Sequence, residues 1–134
     1  MKFAIVILVA PVLFIVLDLI WFAFAGGFFK SEISNIARLD SSGNWDVRYL
    51  PALFVYIFMA IGLYIFVLPQ INSVMSALVW GGFFGLISYA IYDLTNLATL
   101  TDWTVKFAIV DMAWGAFLVA VVTTIIYLIL EAVS

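Results

Sequence analysis

Four long apolar runs constrain this chain more than anything else in it, at about residues 3–28, 50–68, 74–98 and 105–130. A helix rises 1.5 Å per residue, so roughly 20 apolar residues cross the hydrocarbon of a bilayer. The predicted fold is therefore an all-α membrane protein, a four-transmembrane-helix bundle forming a single integral-membrane domain over residues 1–134. With 68% of residues hydrophobic and 10% charged, an ordinary soluble domain is excluded, since such domains carry about 25% charged residues. The first run follows Lys2 and contains Ala23-Phe24-Ala25, which resembles a cleavage site. It is far longer than the apolar region of a signal peptide, so it reads as a retained helix, bent at Pro11 where a backbone donor is missing.

Between the first two runs lies the one long polar segment, Phe29 to Tyr49. Phe29, Ile33, Ile36 and Leu39 fall on one helical face, while Lys30, Glu32, Asn35 and Arg38 fall elsewhere. That pattern predicts a short amphipathic interfacial helix between spans one and two. Ser41-Ser42-Gly43-Asn44 then reads as a turn, with Trp45 and Tyr49 as interfacial anchors. The segment is either a surface connector or a lid over a polar site. In the third span Gly81, Gly82 and Gly85 are spaced for close approach of a neighbouring helix. The connections before and after the middle pair of spans hold Lys30, Arg38, Arg48 and Lys106, whereas the opposite side holds only Lys2. The positive-inside rule therefore puts those connections in the cytoplasm and both termini outside.

Ionisable groups inside hydrocarbon are expensive, which makes any that occur there candidates for function. Asp18, Asp93 and Asp111 all lie within spans, and the alternating helix directions put them at similar depth toward the same membrane face. Tyr89, Asp93 and Asn96 share one helical face, at i, i+4 and i+7. A closed bundle would bring the three acids to one cavity, with Tyr89, Tyr92, Thr95 and Asn96 supplying further oxygens or donors. Lys106 is the nearest basic residue in sequence to Asp111. Unpaired carboxylates in a dry site either share protons or are neutralised by a cation. Alternatively, each acid is structural, bonding to Trp or Tyr donors and fixing helix register; Trp21 and Trp114 stand at i+3 from Asp18 and Asp111. The pattern Asp-x-x-Trp-x-Ala-Phe occurs twice, at Asp18–Phe24 and Asp111–Phe117, too short a match to establish a duplication.

The chain has no cysteine and no histidine, which removes thiol chemistry, haem ligation and zinc-type sites. Any metal would be a hard cation on oxygen, with Asp93, Asp111 and Asp18 as its ligands. A net charge of −3 gives no reason to expect nucleic acid. The expected surroundings are the lipid bilayer and either a homodimer partner or another membrane subunit.

LDLIWF (Leu17 to Phe22), YDLTNLATLTDW (Tyr92 to Trp103) and VDMAWG (Val110 to Gly115) resemble the core motifs of a bacterial membrane family known as domain of unknown function 2177. The resemblance extends over essentially the whole chain. It implies a multi-pass protein of the bacterial inner membrane, with four spans and, by the charge rule, both termini periplasmic. It also implies that Asp18, Trp21, Tyr92, Asp93, Thr95, Asn96, Asp111 and Trp114 match the family pattern, and it carries no activity. Three functional classes follow from the residues themselves. One is a small ion-coupled transporter or ligand-binding membrane protein using the buried acids. Another is a membrane-embedded enzyme acting on a lipid or isoprenoid-like substrate, with an Asp as general acid–base. The last is an accessory subunit of a membrane complex.

Overall fold

A computed structural model describes residues 1–134 as four antiparallel helices, each long and apolar enough to cross a membrane. Helix α1 spans Lys2–Ile33, and α2 spans Tyr49–Gly62. Helix α3 covers Val74–Thr99 and α4 covers Val105–Ala132. Beyond Gly62, α2 widens into a π-helical turn over Leu63–Val67 and ends in a 3-10 turn, Leu68–Gln70. Pro69 explains the irregular ending, because it has no N–H to offer the carbonyl one turn back. Pro11, by contrast, lies inside an uninterrupted α1.

The connections are short and internally bonded. Ser73 and Ser76 cap α3 reciprocally, each side chain accepting the other's backbone N–H. Thr104 caps α4, accepting from Phe107 N–H at 3.0 Å, and donates to Glu32 at 2.7 Å. A carboxylate at a helix N-terminus is favoured by the helix dipole, so Glu32 ties the end of α1 to the start of α4.

The helical segment expected between spans one and two is the continuation of α1 through Ile33 and a further turn to Ala37. A tight hairpin follows, with Leu39 and Trp45 bridged antiparallel. Gly43 turns it with φ of 78°, the left-handed region open to glycine. Asp40 accepts the backbone N–H groups of Ser42 and Asn44, both at 2.8 Å. These bonds, that from Asn44 foremost, hold its carboxyl below the usual carboxylate range.

Two apolar clusters fill the bundle. The larger joins α1, α2 and α4 around Phe14, Leu63, Leu118 and Ile126, toward the end that bears the termini. The smaller gathers Phe29, Ile33, Trp103, Phe107 and Ala108 at the end bearing the charged connections. Between them, α1 and α3 bury Asp18 and Asp93. Packing around the ring is uneven. Helices α3 and α4 lie closest, α1 touches both α2 and α4, and α2 meets α3 at Gly62 and the turns beyond it. Toward the charged end the seam between α2 and α3 is unpacked.

Candidate functional site

Asp18 is satisfied from two helices at once. Tyr56 O–H of α2 donates to its Oδ2 at 2.7 Å, and Trp114 Nε1 of α4 donates to its Oδ1 at 2.7 Å. Trp114 in turn lies flat on Trp21, ring centres 4.5 Å apart with 4° between planes. The two Asp-x-x-Trp segments therefore meet face to face across α1 and α4, and the donor of one serves the acid of the other. The reciprocal bond is missing: Trp21 Nε1 is buried with no partner. Asp18 thus has the Tyr and Trp donors that a structural acid would use. Tyr56 escaped the sequence reading because a lone phenol in an apolar span looks like any large core residue; its depth, matched to that of Asp18, was the available signal.

Asp93 and Asp111 are brought together by glycine. A Cβ on Gly81 would lie 2.6 Å from Thr123 Oγ1, and one on Gly85 would lie 2.8 Å from Val119 Cβ. Only hydrogen at these positions lets α3 settle onto α4, as the sequence predicts for a small-residue face. Gly115 of α4 leaves the space that the Tyr89 ring occupies. The result makes Asp93 of α3 and Asp111 of α4 neighbours across this contact. Asp93 has no exposed surface, and neither of its oxygens receives an N–H or hydroxyl donor. Trp103 faces it, but the indole N–H, also buried, does not reach hydrogen-bond geometry.

Asp111 is the opening of this arrangement. It lines three adjoining cavities of about 320, 300 and 500 Å³, with Tyr92 on the wall of each. The first extends toward the middle of the bundle between Phe14, Met59, Ser88 and Leu118. The second contains Asp18, Trp21 and Trp114, so two of the three acids share one chamber. The third runs toward the charged end beneath Trp45 and Val47. Trp45 stands edge-on to Phe22, centres 6.4 Å apart, so the hairpin covers this chamber. Val55 on α2 and Tyr92 on α3 line the first two cavities and are 58% and 55% exposed, at the unpacked seam. The cavity system thus meets the bilayer sideways.

The remaining expected site residues divide. Tyr89 lines the first two cavities, and Asn96 lies beside Tyr92. Thr95 points away, into a shallow outer groove with Ile91, Leu94 and Ala98. Two residues along a helix is a rotation of about 200°, so Thr95 cannot share the face of Asp93. Lys106 does not approach Asp111; it sits 3.6 Å from Glu32 and over the Phe28 ring. No three acidic side chains gather closely enough to ligate one metal ion.

The family model described as "Predicted membrane protein (DUF2177)" matches residues 3–128. No curated protein and no solved structure matches the chain.

Proposed function

The chain belongs to the DUF2177 family of predicted membrane proteins, and we propose that it is a membrane-embedded binding protein for an amphiphilic small molecule. The molecule reaches the site sideways from the bilayer, through the seam between α2 and α3. Its chain lies along Phe14, Val55, Met59 and Leu118, and its polar end meets Asp111. One observation carries this reading: the Asp111 carboxyl stands on the wall of a largely apolar cavity whose other polar groups, Tyr56, Ser88, Tyr89 and Tyr92, lie around it. A carboxyl group facing an apolar cavity favours a ligand that brings it a hydrogen-bond donor. A cavity of several hundred Å³, apolar with a few convergent polar groups, has the form of a small-molecule site.

Photolabelling tests it. A long-chain alcohol carrying a diazirine is added to protein in nanodiscs, irradiated, and the modified residues are read by mass spectrometry. Labelling is expected at Val55 to Met59 and Ser88 to Tyr92, and excess unlabelled alcohol should suppress it. Label spread evenly over the outward faces of all four helices would overturn the reading.

A further inference from the structure

The end of the bundle that bears the termini holds a cavity of its own, remote from the three acids. It measures about 450 Å³ and lies between the end of α2 and the last turns of α4, beside the first residue of α1. Tyr64 and Ile65 come from the π-helical turn, Leu68 and Pro69 from the 3-10 turn, so α2 builds this wall where it departs from the α-helix. The Phe3 ring, next to Lys2 in sequence, stands edge-on to Tyr64 with centres 5.0 Å apart. Four polar side chains line the space: Lys2, Tyr64, Tyr127 and Glu131. Lys2 and Glu131 are opposite in charge, yet neither is in an ion pair. The protein's two ion pairs join Arg38 to Asp46 and Lys106 to Glu32, both at the charged end. Helices α1 and α4 have 32 and 28 residues, and roughly 20 cross the hydrocarbon, so their ends emerge among lipid head groups.

We propose that this cavity holds one zwitterionic phospholipid, whose head group joins a phosphate to an ammonium. Lys2 takes the phosphate and Glu131 the ammonium, each through a charge-assisted hydrogen bond. The Tyr64 and Tyr127 hydroxyls can donate to the phosphate or ester oxygens. An acyl chain lies along Ile65, Leu68 and Leu130, and Ile65 is 51% exposed on the outer side. Charge selects the lipid. An anionic head group would satisfy Lys2 but bring no cation to Glu131, and its negative charge would stand beside that carboxylate. A zwitterion answers both charges at once and leaves the net charge of the site unchanged. The apolar wall favours a lipid over a soluble phosphate compound, which would leave that wall uncovered. This site is separate from the cavities at Asp111 and does not depend on the reading given for them.

Two photoreactive lipids test the proposal, a phosphatidylethanolamine and a phosphatidylglycerol with the same chains and a diazirine on one of them. Each is added to protein in dodecyl maltoside micelles, irradiated, and the label located by mass spectrometry. In the wild type, labelling within Tyr64 to Ile71 and Tyr127 to Glu131 should be about threefold stronger with the phosphatidylethanolamine. Glu131→Gln should bring the two lipids level, and Glu131→Lys should reverse the preference. Lys2→Gln should lower the labelling by both lipids. Lys2 and Glu131 are exposed and outside any ion pair, so these variants fold as the wild type does. Glycerophosphoethanolamine, the soluble head group, added at the concentration of the lipid, should leave the labelling unchanged. Equal labelling by the two lipids in the wild type overturns the proposal, as does a preference that survives Glu131→Gln. Labelling unaffected by Lys2→Gln, or absent from both stretches, also overturns it. Suppression by glycerophosphoethanolamine would make the ligand a soluble phosphate compound and overturn the lipid assignment.

Discussion

Among single residues, Asp18 shows how an acid can be at home inside a membrane. Its two oxygens receive one phenol and one indole, from different helices, both at 2.7 Å. An amide at this position keeps most of the arrangement. The carboxamide oxygen can accept from Trp114, and the carboxamide N–H can donate to the Tyr56 hydroxyl, which also accepts. A leucine strands the Trp114 N–H, which has no rotational freedom to seek another partner. Leaving a buried donor unmade is destabilising by about 1–3 kcal/mol. Asp18→Asn should therefore melt close to the wild type in detergent, with Asp18→Leu clearly below both. Equal melting temperatures for the two variants would show that these bonds contribute nothing to stability.

At the scale of the element, the pair α3 and α4 depends on which glycines face inward. Gly81 and Gly82 are adjacent in sequence and differ in environment. A Cβ on Gly81 would crowd Thr123 and the Val119 carbonyl, the latter at 2.9 Å, whereas one on Gly82 has its nearest neighbours at 3.8 Å. Gly81→Ala should destabilise by about 1–3 kcal/mol through overpacking, and Gly82→Ala should be near neutral. Unfolding of the two variants side by side, followed by circular dichroism, reads the difference. The four spans and the small-residue face of α3 were legible in the sequence, because span length and glycine spacing are local properties. So was the depth shared by Asp18, Asp93 and Asp111, since it follows from counting residues along helices of alternating direction. The division of labour among those acids was not legible. It depends on rotation of each helix about its axis, which sets Trp114 toward Asp18 and Asp93 toward Asp111. The hairpin at Asp40 to Asn44 was legible as a turn; that it folds Trp45 over the chamber at Asp111 is a tertiary fact. The π-helical turn at Leu63 had no sequence signal beyond Pro69, four residues after Ile65.

For the molecule as a whole, charge predicts where the proposed site lies in the bilayer. The acid pair and the open stretch of the α2–α3 seam lie toward the end that carries Lys30, Arg38, Arg48 and Lys106. The opposite end carries Lys2 and Glu131. Basic residues in short connections resist translocation, so four against one predicts a cytoplasmic charged end. On that prediction the seam opens to the inner leaflet. Both termini face the periplasm in this arrangement. A reporter at the C-terminus separates the two orientations when the protein is expressed in a bacterial host. Alkaline phosphatase fused after Ser134 should be active, and green fluorescent protein fused there should be dark. Moving charge tests the cause as well as the result. Changing Lys30, Arg38 and Arg48 to Gln while adding three Lys before Phe3 should reverse both reporters. A bright fluorescent fusion to the unaltered chain would invert the bundle, and with it the leaflet from which an amphiphile reaches Asp111.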